Sequence, residues 1–271
     1  MMRALDQTIH PAAVAGTFYP EEPDRLAEEV DRLLAAAGPS PTGEIPRALI
    51  VPHAAFDYSG AIAAAGFARL APGRNVLRRA VVVGPAHRAF VHGLAIPEAN
   101  FLATPLGLVP IDEEAVHRLE VFRQVQVASR AHVREHSIEV QLPFLQRLLP
   151  EIQVVPLAVG DATPAEVAEV LGVLWDGPET VVIVSSDLSH YLPFDAAREV
   201  DRATADRILR LAPDPVDHDE ACGATPVNAL VLAARSRGLV PSLVALGNSG
   251  GSSFAREPVV GYGAFAFYEP R

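Results

Sequence analysis

Three of the nine histidines follow short apolar segments at similar positions and have the right chemistry to bind one metal ion. His53, His87 and His190 end or closely follow the segments ALIVPH (48–53), AVVVGPAH (80–87) and TVVIVSSD (180–187). Neutral imidazole is a common ligand of zinc, iron and copper. Each histidine alone could equally be a hydrogen-bonded loop residue, but three in equivalent places favour a shared site.

The single cysteine, Cys222, lies in a Cys-Gly pair near the start of a predicted helix. A helix N-terminus lowers the pKa of a thiol and favours the thiolate. Thiolate is a soft metal ligand, and it is also a nucleophile when a histidine acts as its base. The alternative is a small, buried apolar side chain.

A second polar group, Glu135 and His136, opens a predicted helix that also carries Glu139. A histidine and a glutamate three residues apart on a helix can hold a metal. Alternatively, Glu135 and His136 complement the positive helix N-terminus. We favour an intermediate role, in which this pair faces a substrate or supports the ligands.

A hydrolase is a further alternative, suggested by Ser59 and by Ser185-Ser186-Asp187. The sequence has no G-x-S-x-G motif, which disfavours a serine hydrolase of that type. It also has neither G-x-G-x-x-G nor G-x-x-x-x-G-K-[ST], which disfavours nucleotide binding by those routes.

The elements that must position these residues follow from the hydrophobic pattern. Continuous apolar runs at 48–53, 80–87, 153–159 and 180–187 predict central strands covered on both faces. The 3.6-residue periodicity predicts helices over 24–37, 61–70, 113–119, 137–149, 164–174, 196–211 and 221–236. Strand-like segments at 242–246 and 259–268 fit antiparallel or edge strands. We therefore predict an α/β fold with a largely parallel central sheet, flanked by helices, in one domain over residues 1–271.

Such a fold explains how distant residues meet, because ligand sites in open α/β sheets form beyond the carboxyl ends of the strands. The net charge of −11 and the absence of a basic run argue against nucleic-acid and membrane partners. The sequence shows no apolar targeting or membrane-spanning segment, so we expect a cytoplasmic protein.

Several motifs together resemble one family. They are HPAAVAGTFYP (10–20), VPHAAFDYSG (51–60), VVGPAH (82–87), EHSIEVQLPFL (135–145), SSDLSHY (185–191) and CGATP (222–226). In this order they resemble the Memo-like family, protein B of the AmmeMemoRadiSam group. That family is similar to the class III extradiol dioxygenases, which have a non-haem iron site in an α/β fold.

The resemblance implies roles for individual residues. His53 and His87 match the two histidine ligands, and Cys222 matches the third metal ligand, where the dioxygenases have a carboxylate. His190 matches a histidine that transfers protons, and Asp187 a polar residue of the same cleft, so we predict that both are catalytic. We predict substrate contacts for Glu135, His136 and Tyr58.

These roles lead us to expect a mononuclear iron or copper site, or a zinc site, that acts on an unidentified small molecule by redox chemistry. Because thiolate replaces carboxylate, dioxygenase activity itself does not carry over. Two alternatives stay open: a non-catalytic protein that binds a peptide or small ligand, and a metal- or cysteine-dependent hydrolase. The resemblance also implies partners from a radical-SAM system.

Overall fold

The computed structural model describes residues 8–41, 43–251 and 258–270, in which helices and strands alternate over much of the chain. The α-helices are α1 (Pro23–Ala37), α2 (Phe56–Phe67), α3 (Glu113–His117), α4 (Leu142–Leu148), α5 (Pro164–Leu174), α6 (Phe194–Leu209) and α7 (Ala224–Arg237). The strands are β1 (Ile9–His10), β2 (Ala48–Val51), β3 (Arg79–Pro85), β4 (Leu94–Ile96), β5 (Phe101–Thr104), β6 (Gly107–Pro110), β7 (Val125–Val127), β8 (Gln153–Val159), β9 (Thr180–Ser185), β10 (His190–Leu192), β11 (Val240–Asn248) and β12 (Val259–Tyr268).

The main sheet is parallel at its centre, where β2, β9, β3 and β8 lie side by side in that order. On one side β12 pairs antiparallel with β2 and β11, and on the other β4 pairs antiparallel with β8. A separate small sheet joins β1, β5 and β6. The fold is therefore mixed α/β with a central sheet flanked by helices, which confirms the predicted fold class.

Helices cover both faces of this sheet, and alternate residues of each central strand pack toward opposite layers. In β2, Leu49 and Val51 join the apolar core that α1, α2 and α4 cover. Ala48 and Ile50 join the core on the other face, which includes residues of α5, α6 and α7. This double burial accounts for central strands that are apolar without alternation.

The register of the central strands brings the ends of three of them to one edge. Val51 of β2 lies opposite Ser185 of β9, and Val83 of β3 lies opposite Val184. Because β9 lies between β2 and β3, the segments that follow these three strands emerge side by side. The candidate site is built from those segments.

The helix predicted over 137–149 is wrong in its first part, because α4 begins only at Leu142 after a single 3₁₀ turn over Glu139–Gln141. The Glu135 carboxylate accepts the main-chain N–H groups of His136 and Ser137. These donors are therefore satisfied by a side chain instead of a helical turn.

The predicted pairing of His136 and Glu139 on one helix is consequently wrong as well. Glu139 is buried and accepts the main-chain N–H groups of Ala13 and Val14, at 2.6 and 3.0 Å, and the hydroxyl of Tyr19. It therefore anchors the segment that precedes α1.

Over the described ranges, no helix is both long enough and apolar enough to cross a membrane.

Candidate metal centre

His53 follows β2 directly, and its main chain is held by a buried carboxylate. The Oδ1 atom of Asp187 accepts the N–H groups of His53 and Ala54, at 2.7 and 3.3 Å. Burial raises the pKa of Asp187 to about 7, although these two donors oppose the shift. Asp187 therefore ties the loop after β9 to the loop after β2.

Ser185, the last residue of β9, determines which ring nitrogen of His53 carries the proton. Its hydroxyl donates to the main-chain oxygen of Ser137, and its oxygen accepts from Nε2 of Gln141 at 2.9 Å. Because the single hydroxyl proton is already used, Nδ1 of His53, 2.9 Å from the same oxygen, must be the donor. The lone pair of His53 then lies on Nε2. Burial lowers the pKa of His53, and the nearby His136 and His87 add to this effect, so the ring is neutral.

His87 follows β3 and is oriented by Glu135. The carboxylate accepts the His87 main-chain N–H at 2.5 Å and lies 2.9 Å from His87 Nδ1. Burial alone would raise the pKa of Glu135, but the hydrogen bonds and charge of its neighbours lower it to about 2. An ionised carboxylate can only accept, so Nδ1 of His87 carries a proton and Nε2 is the nitrogen left to bind an ion.

His136 lies beside these two histidines. Its ring stacks on that of His87, with centroids 4.8 Å apart, and lies perpendicular to that of His53 at 5.2 Å. One ring nitrogen from each of the three residues can be chosen so that all lie within 4.8 Å of one another. Three imidazoles thus meet at the edge of the sheet. From the sequence, His136 was predicted to contact substrate rather than to bind a metal.

Cys222 approaches His53 from the turn before α7, although it is not among the three residues whose ligand atoms lie within 4.8 Å of one another. Its Sγ atom lies 3.2 Å from Nε2 of His53, which accepts the S–H proton because Nδ1 is the protonated nitrogen. The close approach depends on Gly223, because a Cβ atom there would lie 2.7 Å from Cβ of Ser186.

The thiol differs from the sequence-based expectation in its acidity. Burial, followed by the charge of Asp187, raises the pKa of Cys222 to about 12, whereas a helix N-terminus was expected to lower it. The helix begins at Ala224, after the cysteine, and contacts from Ser186 and Gly223 do not offset the burial. In the metal-free protein the sulfur is therefore a thiol.

His190 lies near His87, and Tyr58 lies near Tyr262. Nδ1 of His190 is 2.8 Å from the main-chain oxygen of Leu188 and donates to it, which leaves Nε2 free to accept a proton. Burial lowers the pKa of His190, and the neighbouring His87 lowers it further. Tyr58 is 47% exposed and, after burial and Asp187, contributes to the raised pKa of Tyr262. The tautomer of His190 is set by a main-chain oxygen.

The donor chemistry of this cleft fits a transition-metal ion. His53 and His87 each use Nδ1 to donate a hydrogen bond, which orients the ring and leaves Nε2 for an ion. A carboxylate behind a histidine, as Glu135 lies behind His87, is a common arrangement in metal sites. Neutral imidazoles and a thiol that can lose its proton are ligands suited to iron, copper and zinc.

Two supporting residues were not identified from the sequence. Ser185 was considered only as part of a hydrolase motif, and Gln141 was not considered. Both are fully buried polar residues within otherwise apolar segments, and that contrast is the signal that could have revealed them.

The family model and the sequence relatives agree on one family. The family model described as "Memo-like protein" matches residues 10–266. A MEMO1 family protein of Ignicoccus hospitalis is 33% identical, and the alignment covers 97% of this chain and 99% of that protein. The MEMO1 family protein MJ0403 of Methanocaldococcus jannaschii is 34% identical, with 92% and 96% covered. An uncharacterized protein of Escherichia coli K12, known from a crystal structure, is 14% identical with a TM-score of 0.49, over 81% of this chain and 99% of that one.

Proposed function

The chain belongs to the Memo-like family, and from that premise we propose that its cleft binds one transition-metal ion through His53, His87 and Cys222. The observation that carries the proposal is the locked tautomer of both histidines. Ser185 and Glu135 are the hydrogen-bond partners of the two Nδ1 atoms, so Nε2 of each ring is the nitrogen left to bind an ion. Sγ of Cys222 lies 3.2 Å from Nε2 of His53 and offers a sulfur donor.

We further propose that the protein carries out redox chemistry on a small molecule, as a member of a family similar to the class III extradiol dioxygenases. Iron or copper suits this role best, and the same ligands accept zinc. The bound ion would supply electron transfer and polarise a ligand. His190 would accept a proton at Nε2, because its Nδ1–H donates to the main chain. Glu135 and Asp187 would hold the two ligand loops in place.

The test is metal binding by protein purified without added metal. Cobalt(II) serves as a coloured probe, and elemental analysis gives the stoichiometry. We expect about one ion per chain in the wild type and less than about a tenth of that in His53→Ala. His117→Ala is the matched control, because this exposed histidine pairs with Glu120 outside the cleft, and it should bind cobalt as the wild type does.

Absorption identifies the sulfur ligand in the same experiment. A sulfur-to-cobalt charge-transfer band is expected in the wild type and should be absent in Cys222→Ser. If the wild type binds no cobalt, or if His53→Ala binds as much, the proposed site is wrong. If cobalt binds without that band, Cys222 is not a ligand.

A second candidate, a cysteine-dependent hydrolase, is favoured by one observation. The S–H group of Cys222 donates to His53, which in turn donates to Ser185, and this order of groups resembles that around a catalytic thiol. The raised pKa of Cys222 disfavours it, because the thiolate is the nucleophile. Rapid alkylation of Cys222 by iodoacetamide at neutral pH in metal-free protein would support the hydrolase, and slow alkylation would support the metal site.

A further inference from the structure

His136 is held where a metal ligand would be, although its sequence context gave it another role. Its ring lies between Phe18, with centroids 4.6 Å apart, and His87 at 4.8 Å. Its main-chain N–H donates to Glu135 at 3.0 Å, so the ring and the backbone are both fixed. The side chain is only 15% exposed.

The ring nitrogens of His136 are available to bind a metal ion. Nδ1 lies 3.4 Å from the Glu135 carboxylate, and within the described ranges neither ring nitrogen makes a hydrogen bond. A largely buried imidazole normally uses at least one nitrogen in a hydrogen bond. The polar groups near this ring are the imidazoles of His53 and His87, the carboxylate of Glu135 and the guanidinium of Arg88.

We infer that His136 is itself a metal-binding residue, which gives the cleft two overlapping sets of ligands. Both sets contain His53 and His87; one is completed by the sulfur of Cys222 and the other by the imidazole of His136. This inference rests on the proposed function, since it assumes that an ion binds at His53 and His87. The sulfur set suits soft ions such as copper(I), and the three-imidazole set suits divalent zinc, copper, iron and nickel.

The two sets of ligands predict how metal binding changes when Cys222 is replaced. The three imidazole nitrogens already lie within 4.8 Å of one another, so an ion that loses the sulfur keeps three donors. Cys222→Ser should therefore still bind one divalent ion. Removal of both third donors leaves His53 and His87 as the two remaining proposed ligands, and affinity should then fall sharply.

The experiment measures cobalt(II) affinity and stoichiometry in four proteins: wild type, Cys222→Ser, His136→Phe and the double variant. Phenylalanine keeps a ring in contact with Phe18 and removes only the nitrogens. We expect about one cobalt per chain in both single variants, with the charge-transfer band kept in His136→Phe. The double variant should bind at least about tenfold more weakly than Cys222→Ser, because even indirect supporting partners contribute that much.

Two results would overturn the inference: loss of all cobalt from Cys222→Ser, or equal affinity in Cys222→Ser and the double variant. The failure of the proposed function looks different, because then the wild type itself binds no cobalt. A wild type that binds cobalt without a sulfur band, while His136→Phe binds none, would remove Cys222 from the site and keep His136. Far-UV circular dichroism of each variant checks that the fold is retained.

Discussion

At the scale of single residues, one hydroxyl group orients the ring of His53. Ser185 accepts hydrogen bonds from Gln141 and His53 and donates to Ser137, so all of its capacity is used. The serine hydroxyl therefore acts as a fixed acceptor rather than as a nucleophile. The sequence pattern placed His53, His87 and His190 at the ends of strands, but it did not predict this orientation. The orientation of the His53 ring depends on Ser185, whose hydroxyl is held by the main-chain oxygen of Ser137, 48 residues before it in the chain.

Replacement of this serine should weaken metal binding. In Ser185→Ala, Nδ1 of His53 loses its acceptor, so the ring is free to turn or to change tautomer. We expect cobalt affinity to fall about 10- to 100-fold, as is typical when a partner that orients a ligand is lost. Competition with a chelator measures it. Ser59→Ala is the control, because it removes another buried serine hydroxyl, bonded to Ala54, and should leave affinity unchanged. Equal affinity in both variants would refute the role of Ser185.

His190 should affect chemistry but not metal content. Its Nδ1 donates to Leu188, and its pKa is influenced by His87, so it lies close to the ligands without being one in our proposal. We predict that His190→Ala binds cobalt with the same stoichiometry as the wild type, within experimental error. Loss of cobalt as complete as in His53→Ala would show that His190 is a ligand.

At the scale of elements, the helices and strands that were predicted correctly are those with a strong hydrophobic pattern. The helix predicted over 164–174 coincides with α5, which begins with a capping box formed by Thr163 and Glu166. The central strands were predicted because burial on both faces leaves continuous apolar runs. Strands β4 to β7 were not predicted, since each has only three or four residues and no clear alternation. The turn around Glu135 was missed because a side-chain acceptor, which periodicity does not register, replaces helical bonding there.

Two glycines in helical regions should respond in opposite ways to the same substitution. Gly238 ends α7 with a φ of +67°, and the N–H of Leu239 bonds back to Ala234, so the left-handed conformation is required. Gly172 lies inside α5, without a positive φ. A Cβ atom would meet nothing within 4 Å at either position.

The backbone alone therefore determines the effect. Gly238→Ala should lower the free energy of unfolding by about 1 kcal/mol, because alanine is strained at a positive φ. Gly172→Ala should raise it by roughly 0.5–1 kcal/mol, because alanine favours a helix. Urea unfolding of both variants measures these changes. Changes of the same sign would show that one of the two helix assignments is incorrect.

At the scale of the whole molecule, the order of strands determines the site, and that order was not available from the sequence. The strand that precedes His190 lies between those that precede His53 and His87, although it comes more than 90 residues later in the chain. Sequence patterns predict that strands exist, whereas their neighbours depend on helix packing across both layers. The predicted single domain, the radical-SAM partners and the cytoplasmic location stay predictions.

Acid should destabilise the whole fold through buried neutral histidines, and His132 is the one best suited to a test. It is 5% exposed, its Nε2 lies 3.1 Å from the main-chain oxygen of Ala95, and it lies outside the proposed ligand set. Its pKa is lowered to about 4, chiefly by burial and also by nearby His10, although the hydrogen bond to Ala95 and the charge of Glu135 act in the opposite direction.

The sign follows from proton binding in the two states. An unfolded chain protonates this histidine near pH 6.5, so between about pH 6.5 and 4 the unfolded state binds more protons than the folded state. The contribution of His132 to stability is therefore complete above about pH 6.5 and is lost as the pH falls toward 4. The loss amounts to roughly 3 kcal/mol at most.

His132→Gln removes the titration and keeps an N–H donor for Ala95. We predict that the difference in free energy of unfolding between wild type and variant, measured by urea in metal-free protein, shrinks steadily from pH 7 to pH 4. The other buried histidines contribute equally to both proteins and cancel. A difference that stays constant over this range would show that His132 is not held neutral by the fold.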